Sequence, residues 1–337
     1  MLRKVEEGGY ASDLLLKLSE KLESRDAGLA SEIVFGCLRY QAQLDYLIDR
    51  LAAKKLDLEV RIALRMGIYQ LRYLDRIPAH AAVSESVELV KRAGKGSAAG
   101  LVNAVLRKVD SAPVAWPDRA TDLSLPAWLA EKWDREFGPD ATDKIAATFL
   151  QPVRNYVAST GRIQDIGAQS VVPMLDLRPG LTLLDLCAAP GNKTAQALEY
   201  GVQAIACDLH WHRLKSLEEL RCHRVVVDGT QELPFRGHFD RILVDAPCSG
   251  TGTLGRNPEI KWRLQPSDLV ELRRKQIAIL RNALRHLNPG GKLVYSTCSL
   301  EREENQMVIE AVPGPWEVIQ RLPGIDEGDG FFIAVLG

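Results

Sequence analysis

Two rhythms of apolar residues divide this chain. From Tyr10 to Val109 they recur at three- and four-residue spacing, as in Ile33, Leu38, Leu44, Leu47, Ile48 and Leu51, and again in Ile62, Met66, Tyr69 and Leu71. Such spacing lays one apolar stripe along a helix. Breaks at Ser24-Arg25-Asp26, Lys55-Leu56-Asp57, Ile77-Pro78 and Gly94-Lys95-Gly96 cut this half into five or more helices, which predicts an all-α bundle. From Leu181 onward the rhythm changes. The β-rich runs LTLLDLC, VQAIACD, RVVVD, FDRILVDAP, KLVYSTCS, WEVIQRL and FFIAVL alternate with helical stretches, which predicts an α/β domain whose mostly parallel sheet is covered by helices on both faces. Between Ser111 and about Gly161 the helical period is interrupted by Pro113, Trp116, Pro117, Pro126, Trp128, Trp133, Pro139 and Pro152, and a linker is expected there.

Composition narrows the function classes. A length of 337 residues suits two domains. The chain is 46% apolar and 26% charged with no run long and apolar enough for a transmembrane helix, so a membrane role is not expected. The charged N-terminus MLRKVEEGGY lacks the apolar core of a secretory signal, which makes the cytoplasm the expected location and reduced thiols the expected state. Its six cysteines form no C-x-x-C pair, and no spaced set of metal ligands is visible. A net charge of -1 gives no global signature of nucleic-acid binding, but Lys and Arg outnumber Asp and Glu between residues 1 and 108, which leaves room for local phosphate contacts.

The candidate chemistry sits at strand ends. The first strand runs through Asp185 and a turn of small residues, Cys187, Ala188, Ala189, Pro190, Gly191, Asn192 and Lys193, straight into a helix. Ligands of doubly wound sheets bind at such carboxyl edges, where small residues expose backbone amides and a helix N-terminus favours a carboxylate. A turn of this kind can equally be structural. Asp208 ends the second strand, where a carboxylate can hold the ribose hydroxyls of an adenosine-type ligand, and Asp228 ends the third. Either aspartate alone could be a helix cap. The absence of G-x-G-x-x-G after the first strand favours an adenosyl cofactor other than NAD. The fourth and fifth strands end in Asp245-Ala-Pro-Cys248 and Tyr295-Ser-Thr-Cys298, so neighbouring edges each present a cysteine among small hydroxyl residues. Cys37, Cys207 and Cys222 read as core residues in helix or strand interiors.

The motifs CAAPGNKT, DAPCSGTG, RNPEIKW, YSTCS and DGFFIAVL, with FGCLRYQAQLDYLI and AHAAVSESVELVK before them, resemble the RsmB/Sun-type family of bacterial ribosomal RNA cytosine-5 methyltransferases over most of the chain. The resemblance implies a NusB-like helical RNA-binding domain over 1–110, a linker and shortened RNA-binding subdomain over 111–160, and a Rossmann-like class I methyltransferase domain over 161–337. It implies S-adenosylmethionine as cofactor, with residues 187–193 on its methionine and adenosine portions, Asp208 on the ribose and Asp228 on the adenine amino group; Asp245 is counted with both cofactor and catalysis. It makes Cys298 the nucleophile and Cys248 the residue that assists loss of the carbon-5 proton or release of the enzyme. The residues alone do not separate the two cysteines, and DNA cytosine-5 methyltransferases use a Pro-Cys like Pro247-Cys248 as nucleophile. Carbon 5 of cytosine is a poor nucleophile, so a thiolate must first add at carbon 6. Asp245 is then expected at the base's N3 and N4 edge, and the base must leave its stack.

The implied partner is RNA, small-subunit (16S) ribosomal RNA first and transfer RNA as the rival, met by a monomer with Lys193, Arg256, Lys261 and Arg263 as candidate phosphate contacts. Two departures from the family stand out. Asn192 replaces the middle glycine of the first motif, and PVRNYVASTGRIQDIGAQS follows Phe149 almost directly, where the family has a longer subdomain. They motivate a third reading, a catalytically weakened RNA-binding or ribosome assembly factor.

Overall fold

The computed structural model describes all residues except 53 and 54. The chain forms two compact units. One comprises residues 1–152 together with 254–263, and the other residues 153–253 and 264–337.

The first unit is helical, with long helices Ser24–Arg39, Gln41–Leu51, Leu58–Tyr73 and Ala79–Arg92. The helices start and stop close to the breaks read from the sequence. Leu38, Leu44, Ile48, Leu64, Ile68, Val90, Val102 and Leu106 build its core, and Ile62, Met66 and Leu71 pack at its edge. Gly36 is required by that packing, because a Cβ there would lie 1.9 Å from the ring of Tyr69. Arg65, nearly buried, is held by both carboxylate oxygens of Asp45 (2.8 and 2.7 Å) and by Glu6 (2.7 Å). The stretch expected as a linker is largely helical, with helices Arg119–Asp122, Ala127–Phe137 and Pro139–Leu150. Two of its prolines open helices instead of breaking them: Pro126 precedes the second, and Pro139 occupies the first turn of the third, where a missing N–H costs nothing. Trp133 and Phe149 are buried against each other.

The second unit is a seven-stranded sheet, with β1 Thr182–Asp185, β2 Gln203–Asp208, β3 His223–Val226, β4 Phe239–Asp245, β5 Leu287–Thr297, β6 Glu317–Arg321 and β7 Phe331–Leu336. The order is β3-β2-β1-β4-β5-β7-β6, with β7 antiparallel to both neighbours and the first five strands parallel. Alternate residues of each strand feed opposite faces. Leu183, Leu243, Val294 and Ile333 join Val171, Val172 and Leu175 on one side. Leu184, Val244, Tyr295 and Phe332 join Ile279 and Leu280 of helix Pro266–Leu284 on the other. Burial on both faces explains why the central strands read as unbroken apolar runs. The edge strands β3 and β6 are more exposed. Cys37 and Cys207 are core residues. Cys222 departs from expectation: it lies in the bend before β3 and is only partly buried, because β3 starts at His223. Among the described residues no helix is long and apolar enough to cross a membrane.

Candidate active site

In this strand order the chain reverses direction of travel between β1 and β4, and the carboxyl ends of those strands open a crevice. The residues singled out from the sequence fall there because the strands are parallel: the register pairs Asp245 with Ser296, and Asp185 lies opposite Leu243, two residues before Asp245. The loop after β1 is tied to the strands beside it. Leu186 N donates to Leu243 O (3.0 Å) and Ala188 N to Cys207 O (2.8 Å). Gly191 closes the loop at φ +99°, a left-handed conformation that favours glycine, and a Cβ there would meet Leu217 at 2.5 Å. Asp185 is buried and accepts from the Thr194 hydroxyl at 2.7 Å; burial pushes its carboxyl up to about 7. Burial likewise pushes the Cys187 thiol well up, helped by the charges of Asp185, Asp245 and Asp208, so three carboxylates gather round this loop. Asn192 is accommodated: its amide nitrogen donates to Ile163 O (3.2 Å) and its oxygen accepts from Arg162 (3.4 Å).

Asp208 is 4% exposed, accepts from His210 N at 3.0 Å and lies 3.3 Å from the Arg213 guanidinium. Asp228 stands two residues beyond the end of β3 and is exposed. Its carboxylate accepts from the hydroxyl (2.6 Å) and amide (2.9 Å) of Thr230, which hold it below the usual carboxylate range. Asp245 is bonded on both oxygens, by Lys193 Nζ at 2.8 Å and Ser296 Oγ at 2.8 Å. Burial pulls the Lys193 ammonium down, but the charge and hydrogen bond of Asp245 outweigh it and hold the lysine charged, with the Cys298 sulfur adding in the same direction.

The sulfurs of Cys248 and Cys298 lie 3.4 Å apart. The contact with Cys298 pushes the Cys248 thiol well up, followed by burial and by the charges of Cys298, Glu304 and Asp245. The two cysteine loops are also joined beside the sulfurs. Gly252 N donates to Cys298 O (2.9 Å), Gly330 N to Gly252 O (2.9 Å), and Leu300 N to Thr251 Oγ1 (2.9 Å). Glu304, fully buried, accepts from Ser249 and Ser299. Sequence reading missed this carboxylate, since within Glu301-Arg302-Glu303-Glu304 it looks like one more solvated charge.

Of the phosphate contacts expected from sequence, Lys193 is committed to Asp245. Arg256, Lys261 and Arg263 belong to the helical unit. Lys261 is 1% exposed, donates to Arg39 O at 2.9 Å and lies 5.0 Å from the Trp262 ring. Arg263 donates to the carbonyls of Val5, Gly8 and Gly9. Lys261 and Arg263 therefore satisfy backbone carbonyls in this unit, and Arg256 and Arg263 are each partly exposed.

Comparison with known proteins matches two separate stretches of the chain to two families. Residues 172–313 match the family of the 16S rRNA methyltransferase RsmB/F, and residues 1–111 match the NusB family. The chain is 33% identical over 413 residues to the ribosomal RNA small subunit methyltransferase B of Klebsiella pneumoniae subsp. pneumoniae, covering 98% of this chain and 95% of that protein. It is 32% identical to the protein of that name from Escherichia coli O1:K1 / APEC, with the same coverage. Each alignment is longer than this chain's 337 residues, so gaps open in it where these relatives continue. In fold it is similar to the crystal structure of PH0851 (TM-score 0.77, 20% identity, 96% of both chains) and to a methyltransferase homolog protein from Pyrococcus horikoshii (TM-score 0.54, 23% identity, 66% of this chain and 99% of that one).

The sheet order with its antiparallel seventh strand and the acidic crevice define a Rossmann-like, S-adenosylmethionine-dependent methyltransferase domain, which follows a NusB-like helical domain. The crevice fits that cofactor, because its ammonium, sulfonium and ribose hydroxyls call for acceptors and negative charge, and the carboxyl groups of Asp208 and Asp245 at the strand ends are of that kind. The chain belongs to the RsmB/F family of 16S ribosomal RNA methyltransferases.

Proposed function

We propose that this protein forms 5-methylcytosine in RNA, with small-subunit ribosomal RNA as substrate, through a transient bond between Cys298 Sγ and carbon 6 of the target cytosine. The observation that carries the reading is the 3.4 Å contact between two sulfurs beside the Lys193–Asp245 pair. Residues 187–193 and Asp208 would hold S-adenosylmethionine, with Asp228 at its adenine, and the cofactor when bound supplies an electrophilic methyl group. The names of the relatives support ribosomal RNA over transfer RNA.

Each residue then has a part. Cys298 adds as a thiolate to carbon 6, and the ring electrons become available at carbon 5. Asp245 takes the N3 and N4 edge of the extruded base, where positive charge gathers as sulfur adds, and Lys193 and Ser296 fix its carboxylate for that contact. Once carbon 5 carries the methyl group, loss of its proton to solvent water restores the 5,6 double bond and returns the carbon–sulfur pair to Cys298. Cys248 carries its proton at neutral pH, which suits a donor to the departing sulfur.

Bisulfite sequencing of 16S ribosomal RNA from cells with and without this protein tests the reading, together with tritium release from carbon-5-labelled cytosine by the purified chain. One protected cytosine that becomes convertible in the deletion strain is expected. Unchanged ribosomal RNA with a lost signal in transfer RNA would move the substrate. Tight RNA binding without tritium release would make the protein an assembly factor.

A further inference from the structure

The two sulfurs come from loops that follow different strands, so something must hold them in register. Glu304 is placed to do so. Its Oε1 accepts from Ser249 N (2.8 Å) and Gln276 Nε2 (3.0 Å), and its Oε2 accepts from the hydroxyls of Ser249 (2.5 Å) and Ser299 (2.5 Å). Ser249 follows Cys248 and Ser299 follows Cys298, so one carboxylate grips both loops one residue from each sulfur. Gln276 extends the grip by donating to Pro247 O at 2.9 Å, which brackets Cys248 from the other side. Glu304 itself is anchored, its carbonyl accepting from Tyr295 OH at 2.6 Å. A fully buried carboxylate is costly unless hydrogen bonds compensate it, and here four donors do. Two hydroxyls, an amide N–H and a carboxamide would have served a neutral acceptor at lower cost, so the charge calls for a role beyond packing.

We propose that Glu304 is a positioning residue that clamps the Cys248 and Cys298 loops together and thereby sets the sulfur-to-sulfur contact used in the reaction. The proposal rests on the reading of Cys298 and Cys248 as the reacting pair. Glu304 lies one hydrogen-bonded residue away from each sulfur and need not touch substrate. A displacement of about 1 Å at a reacting atom can cost about a hundredfold in rate, so a clamp at this distance has leverage on chemistry and little on cofactor affinity.

Glu304→Gln in the full-length chain tests this, with RNA containing 5-fluorocytosine as the adduct trap. The adduct-forming rate should fall about tenfold or more, with cofactor affinity by calorimetry unchanged. A second readout follows the charge. The titratable groups facing Cys248 are Cys298, Glu304, Tyr295 and Asp245, the last paired with Lys193. Removing the Glu304 charge should move the onset of Cys248 alkylation by iodoacetamide to lower pH, whereas Glu304→Asp, charged but shorter, should keep the native alkylation profile and still form adduct slowly. Native adduct rates in Glu304→Gln, in a background where Cys298→Ala forms no adduct, overturn the clamp and leave the cysteine reading standing. Adduct formation by Cys298→Ala would overturn the cysteine reading itself. Should Glu304→Gln fail to fold, the Ser249→Ala, Ser299→Ala double variant keeps the carboxylate on Ser249 N and Gln276 and removes the hydroxyl grips; native adduct rates there also overturn the proposal.

Discussion

Cys248 and Cys298, 50 positions apart in sequence, meet sulfur to sulfur at 3.4 Å across the ends of adjacent parallel strands. The Cys248 thiol is pushed well up by this contact, by burial and by nearby carboxylates. A thiol that keeps its proton is a poor attacking group. Cys298→Ala should therefore abolish both turnover and covalent RNA adduct, while Cys248→Ala lets the adduct accumulate. Denaturing gels of enzyme and RNA read both outcomes, and the reverse pattern would exchange the roles.

Lys193 and Asp245 form a largely buried ion pair, with side chains 12% and 29% exposed. Removing one partner leaves the other charge without compensation, at a cost of about 3 kcal/mol, whereas removing both costs less than the sum. Denaturant midpoints for Lys193→Met, Asp245→Ala and the double variant should show that coupling. Additive losses would mean that water already screens the pair.

Gly252 leaves no room for a side chain: a Cβ would lie 2.4 Å from Gly330 O and 2.8 Å from Cys298 O. Both atoms are backbone, so the loop carrying Cys298 must move. Gly252→Ala is expected to destabilise the domain by about 1–3 kcal/mol and to slow adduct formation more than it weakens cofactor binding. An active, fully stable variant would show that the loop yields freely.

Lys261 is buried in the helical unit, and burial lowers its pKa from 10.5 to about 7, with Arg39 adding to the effect. The unfolded chain therefore binds the extra proton between those two values. The penalty is full below about pH 7 and fades as pH rises toward 10.5. The stability of Lys261→Met relative to the native chain should accordingly be greatest near neutrality and decline with rising pH, as urea midpoints across that range would show. A pH-independent difference would place the ammonium in contact with water.

Much of this architecture was written locally. Unbroken apolar runs between helical stretches predict strands buried on both faces, and Asp208, Asp245 and Cys298 follow from that prediction, because residues at the carboxyl ends of parallel strands must emerge on one edge. The helical stripe through Leu44, Leu47 and Ile48 likewise needs no partner to be seen. What local pattern could not decide is which charges are buried, since that depends on partners distant in sequence. Glu304 reads as a solvated acid until Ser249, Ser299 and Gln276 surround it. Lys261 and Arg263 read as phosphate contacts until Arg39 and the carbonyls near the N-terminus claim them. Periodicity records which face of an element is apolar; only the folded chain supplies the donors and acceptors that make a buried charge affordable.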